Sequence, residues 1–220
     1  MICAAFTPKS KDFNRLLPQS IMIRRSFRIL GVLASLSLCG LAHATITDFE
    51  AILSGPNESP SNSSPGTGFA DVVYDSVAHT LSVNVTFSGL TANDTASHIH
   101  AATASPGTGT AGVATTTPTF PGFPTGVTSG TYAQVLDLTL ASSFNPAYVT
   151  AQGSVANAEA ALIQAMFDGK AYLNIHSTAF PGGEIRGFLA VPDGAMTAAL
   201  LLLGVGAMLG VARYQRAGVS

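Results

Sequence analysis

Apolar and polar residues alternate cleanly between residues 81 and 87. Leu81, Val83, Val85 and Phe87 fall on one side, and Ser82, Asn84 and Thr86 on the other. That period of two is the pattern of a half-buried β-strand. Similar runs predict strands at 45–54, 68–74, 97–101 and 132–140. Residues 55–66 are crowded with Gly, Pro, Ser and Asn and read as a polar loop. The stretch 104–130, rich in Gly, Thr and Pro, reads as a flexible excursion with one brief strand. Phe120 and Phe123 lie within it, so it either packs down or meets a partner. One segment has the helical period instead. Ser154 can cap a helix over 155–167, Gly169 can stop it, and Val155, Ala158, Leu162, Ile163 and Met166 form its apolar stripe. Several short antiparallel strands with one helix predict an all-β fold, a Greek-key β-sandwich or barrel.

The last strands carry the most specific pattern, Tyr172-Leu-Asn-Ile-His-Ser-Thr-Ala-Phe-Pro-Gly-Gly-Glu-Ile-Arg-Gly187. It reads as a hairpin with Leu173 and Ile175 on one face and Tyr172, Asn174 and His176 on the other. Ile185 and Leu189 share a face, with Glu184 and Arg186 opposite. Upstream, His98 and His100 share the polar side of a short strand and Ile99 points away. Together with Phe49-Glu-Ala-Ile-Leu-Ser-Gly55, Glu58 shortly after it, and the 81–90 strand, these segments resemble the CHRD domain, a module named after chordin and found in exported bacterial proteins. Ala101 departs from the glycine usual after the His-x-His. The resemblance frames residues 45–190 and implies a β-sandwich or barrel and an extracellular context rather than a reaction.

Both ends bear on location. Arg24, Arg25 and Arg28 precede a 13-residue apolar run, 29–41, which ends in Ala42-His43-Ala44. A basic flank, a short apolar core and an Ala-x-Ala site predict a secretory signal peptide within 1–44, cleaved between Ala44 and Thr45. Met22 is the start that gives this peptide ordinary length. A membrane anchor would need a longer core. At the other end Val191-Pro192-Asp193-Gly194 is followed by 18 uncharged residues, 195–212, then by Arg213 and Arg216. A helix of that length spans about 27 Å, just enough for a bilayer core, and the arginines favour a cytoplasmic C-terminus. Residues 191–220 resemble a VPDSG-type variant of PEP-CTERM sorting tails, which implies processing by an exosortase-type membrane protease. A plain single-span anchor is the alternative. Either way, the domain is expected on the outer face of the cell membrane or in the surface matrix.

Composition narrows the partners. The chain carries a net charge of −2, but residues 45–191 hold two cations, Lys170 and Arg186, against ten acids. An acidic domain repels phosphate backbones, which excludes nucleic acid. An envelope polysaccharide or protein, or a divalent cation, suits it better. Cys3 and Cys39 both precede the cleavage site, so the mature domain has neither disulfides nor a thiol nucleophile. No nucleophile elbow, phosphate loop or zinc-protease helix is present, so no enzyme is predicted.

Two functional readings remain. The first is an exported, surface-anchored domain acting in binding or in extracellular matrix and envelope structure. The second is a copper or zinc site on His98, His100 and His176, open to redox chemistry as copper, with Asn174 or Glu184 as fourth ligand or outer support, since neutral imidazoles suit these metals. The same three rings can instead hydrogen-bond within a polar end of the fold. Arg186 is expected to pair with Glu184 or to recognise a ligand carboxylate.

Overall fold

The computed structural model describes residues 46–192. The predicted signal peptide, its expected cleavage site at Ala44 and Thr45, Asp193 and Gly194 of the expected sorting motif, and the predicted span 195–212 lie outside these residues. Among the described residues no helix is long and apolar enough to cross a membrane.

Seven strands form one curled antiparallel sheet. They are β1 (Ile46–Ser54), β2 (Thr67–Asp75), β3 (Thr80–Ser88), β4 (Asp94–His100), β5 (Gly130–Asp137), β6 (Tyr172–Ser177) and β7 (Ile185–Phe188). Their order across the sheet is β4-β6-β7-β1-β2-β3-β5. The alternation read from the sequence is the alternation found. Leu81, Val83, Val85 and Phe87 are buried on β3, on the same sheet face as Phe49, Ala51 and Leu53 of β1 and Ala70 and Val72 of β2. Full nine-residue ladders join β1 to β2 and β2 to β3, so a slip of one residue would turn every core side chain outward.

The excursion between β4 and β5 lies against the fold. Ala114 N–H donates to the Ile99 carbonyl at 2.9 Å, and Phe120 N–H donates to the Ser97 carbonyl at 3.1 Å. Those bonds cover an edge strand that would otherwise expose unpaired backbone. Phe120 and Phe123 are buried and pack on Tyr132 of β5 at centroid distances of 5.6 and 5.2 Å. Gly126 N–H bonds to the Asp94 carbonyl, and Asp94 N–H to the Val127 carbonyl, which draws the start of β4 towards the approach to β5.

There are two helices where one was expected. The predicted one, α2 (Val155–Phe167), has the Ser154 side chain accepting from the Asn157 N–H, and it buries Ala158, Leu162, Ile163 and Met166. The additional one, α1 (Pro146–Gln152), begins with Asn145 accepting from the Ala147 N–H, has Pro146 in its first turn, and ends at Gly153, φ +85°. Asn-Pro is a helix-start signal, but seven residues are too few to show a helical period.

Candidate metal centre

Strands β4 and β6 pair with His98 opposite Asn174, His100 opposite Tyr172 and Ala96 opposite His176. Cross-strand partners share a face, so this register gathers His98, His100 and His176 on the side away from Ile99, Leu173 and Ile175. One ring nitrogen from each lies within 4.8 Å of the others. The rings of His98 and His176 are 5.3 Å apart between centroids, and those of His98 and His100 are 5.8 Å apart.

Each ring is held by one backbone carbonyl. His98 Nε2 bonds to the Pro118 oxygen. His100 Nδ1 bonds to Ala111 at 2.9 Å, and His176 Nδ1 to Pro181 at 2.9 Å. A carbonyl only accepts, so each of these nitrogens carries the hydrogen and the tautomer follows. The opposite nitrogens, His98 Nδ1, His100 Nε2 and His176 Nε2, are buried and have no hydrogen-bond partner. Three lone pairs are left with nothing to accept from. Burial lowers the pKa of all three rings, that of His100 to about 4, so all are neutral at pH 7.

This arrangement argues against a purely internal network. A neutral imidazole has one N–H, and all three are committed to carbonyls. A water has only two hydrogens to offer three acceptors. A cation satisfies all three at once, and ring nitrogens backed by carbonyls are the usual outer support of metal-bound histidine.

The other expected site residues divide. Asn174 is buried beside His98, with its Oδ1 unpartnered. Glu184 is turned elsewhere: its carboxylate accepts from Ser64 Oγ at 2.6 Å and from the Thr91 N–H. Burial pushes the Glu184 pKa up, but hydrogen bonds from Ser177, Ser64 and Thr91 outweigh it and hold the group below the usual range. Arg186 does not pair with it. The guanidinium Nε is 3.7 Å from Glu58 Oε2 and donates to the Asn57 carbonyl, and Nη1 donates to Gly109 at 2.9 Å.

Two neighbours of the centre were not foreseen as such. Tyr172 lies parallel to His100, with centroids 4.8 Å apart and planes 5° from parallel. The Arg186 guanidinium also lies over this ring, 4.6 Å from its centroid. Glu58 is buried, and desolvation raises its pKa to about 7 although Arg186 opposes this. The alternation of β6 already put Tyr172 on the histidine face. Nothing local in the sequence joins Glu58 to Arg186.

No curated protein and no solved structure matches the chain. The family model of the CHRD domain matches residues 49–189. That match takes in all seven strands except the first residues of β1, along with the three histidines and the Gly-Gly-Glu-Ile-Arg-Gly turn. The chain belongs to the CHRD-domain family.

Proposed function

We propose that this CHRD domain is an exported metal-binding domain that holds copper or zinc on His98 Nδ1, His100 Nε2 and His176 Nε2. The observation that carries the reading is the three buried lone pairs, each opposite an N–H fixed by a carbonyl. Imidazole donors suit both metals. Three protein ligands leave a coordination position for a water or a substrate, and a metal there supplies Lewis acidity or, as copper, one-electron chemistry.

Display outside the membrane rests on the ends of the chain, Arg24 to Ala44 and Val191 to Arg216, whose patterns are those of export and of a C-terminal anchor or sorting tail. A binding role towards an envelope polysaccharide or protein is compatible with this centre. The outer sheet face that would serve it exposes Ile52, Phe69 and Val135.

The experiment is metal content of the purified protein after incubation with copper or zinc and dialysis at stepped pH, beside the His176→Gln variant. His176 is the least buried of the three, so its loss should disturb the fold least. About one metal per chain is expected in the wild type. It should persist below pH 6.5, where an ordinary histidine would protonate, and leave as the pH nears the His100 value of about 4. His176→Gln should retain little. Equal metal content in variant and wild type would contradict the reading.

A further inference from the structure

We infer that the centre holds copper in its monovalent state, and that Arg186, acting across the Tyr172 ring, sets this preference. The inference rests on the metal reading above and specifies its ion and valence. Charge is the argument. The three ligands are neutral, and no carboxylate or thiolate joins them in the metal-capable group. A site without an anionic ligand leaves the full charge of its ion in a buried setting, where each added unit is costly.

Arg186 adds to that cost. Only 3% of its surface is exposed. Its guanidinium stacks on one face of Tyr172, and His100 stacks in parallel on Tyr172 as well. One aromatic ring therefore lies between the guanidinium and the ligand His100, at 4.6 Å from the charge and 4.8 Å from the imidazole. Glu58 offsets this charge incompletely. Its carboxylate is 3.7 Å from Arg186 Nε, with the other oxygen unpartnered, and with a pKa near 7 it is protonated for part of the time at neutral pH.

A fixed positive charge close to a metal repels a divalent ion more than a monovalent one. Among the metals that imidazole suits, copper is the one with a readily accessible monovalent state. Zinc and cupric ion therefore lose relative to cuprous ion here. Arg186 is a positioning residue in this sense, since it touches the ligand's stacking partner rather than the metal.

The test uses the whole purified chain with two readouts. One is affinity for cuprous ion, supplied under a chelator of known strength, against affinity for cupric and zinc ions. The other is the reduction potential of the copper-loaded protein. The expected result is tighter binding of cuprous ion, and a potential that falls in Arg186→Met as the ratio of cuprous to cupric affinity drops about tenfold. Glu58→Gln should move the potential the other way at pH 8, because it removes the opposing charge. Should Arg186→Met not fold, Glu58→Gln decides alone. Copper binding with a potential unmoved in both variants would overturn the role of Arg186. Tighter binding of zinc or cupric ion in the wild type would overturn the monovalent preference. Failure to bind any of the three ions would overturn the centre itself, and so separates an error in the proposed function from an error in this inference. A residue that only braces the fold would lower stability and leave the potential where it was.

Discussion

Saturating the centre with metal is expected to raise the stability of the folded protein by about 4 kcal/mol when free metal stands a thousandfold above its Kd. For a domain of this size that corresponds to a rise in Tm of about 8–16 °C. The ligands explain why the gain belongs to the folded state. His98 and His100 lie on β4 and His176 on β6, and these strands meet only through the finished sheet. Their supporting carbonyls, Ala111, Pro118 and Pro181, come from the β4–β5 excursion and the turn of the last hairpin. An unfolded chain can offer at most the local His-x-His pair. Scanning calorimetry with and without a strong chelator measures the difference. In His98→Ala/His100→Ala/His176→Ala the two traces should coincide, and an unchanged metal-dependent shift in that variant would exclude these ligands.

The second large effect concerns the glycines of Pro181-Gly-Gly-Glu-Ile-Arg-Gly187, which are not equivalent. A Cβ on Gly187 would lie 2.4 Å from the Ile52 carbonyl oxygen and 2.9 Å from its carbon. Those are backbone atoms of β1, held on the other side by the nine-residue ladder to β2. The strand cannot yield without loosening the centre of the sheet. Gly187→Ala should therefore cost about 3 kcal/mol or more. Gly182→Ala meets nothing within 4 Å and serves as the control, with a change of about 0.5 kcal/mol or less. Denaturant unfolding of the two variants compares them directly. Equal midpoints would mean that β7 does not need the close approach to β1.

The histidine face was legible because it needs only the period of a strand and the pairing of β4 with β6. The core of β3 was legible for the same reason, as was α2, whose cap and stripe are both local. What the sequence could not supply is which ring nitrogens remain free. That depends on carbonyls at 111, 118 and 181, and a carbonyl has no sequence signature. Glu184 was expected beside the histidines by extending the alternation of β7 backwards. Glu184 lies just outside β7, in the bend before Ile185, and its carboxylate is taken up by Ser64 and Thr91 instead. The true partner of Arg186, Glu58, comes from the loop after β1, and only the tertiary fold joins them.

The most direct test of the central claim is an anomalous-scattering map from crystals of the copper- or zinc-loaded protein. A single peak is expected at about 2.0–2.1 Å from His98 Nδ1, His100 Nε2 and His176 Nε2, with the opposite nitrogens still on their carbonyls. A map with no peak among the three rings, or with metal bound only elsewhere on the acidic surface, would contradict it.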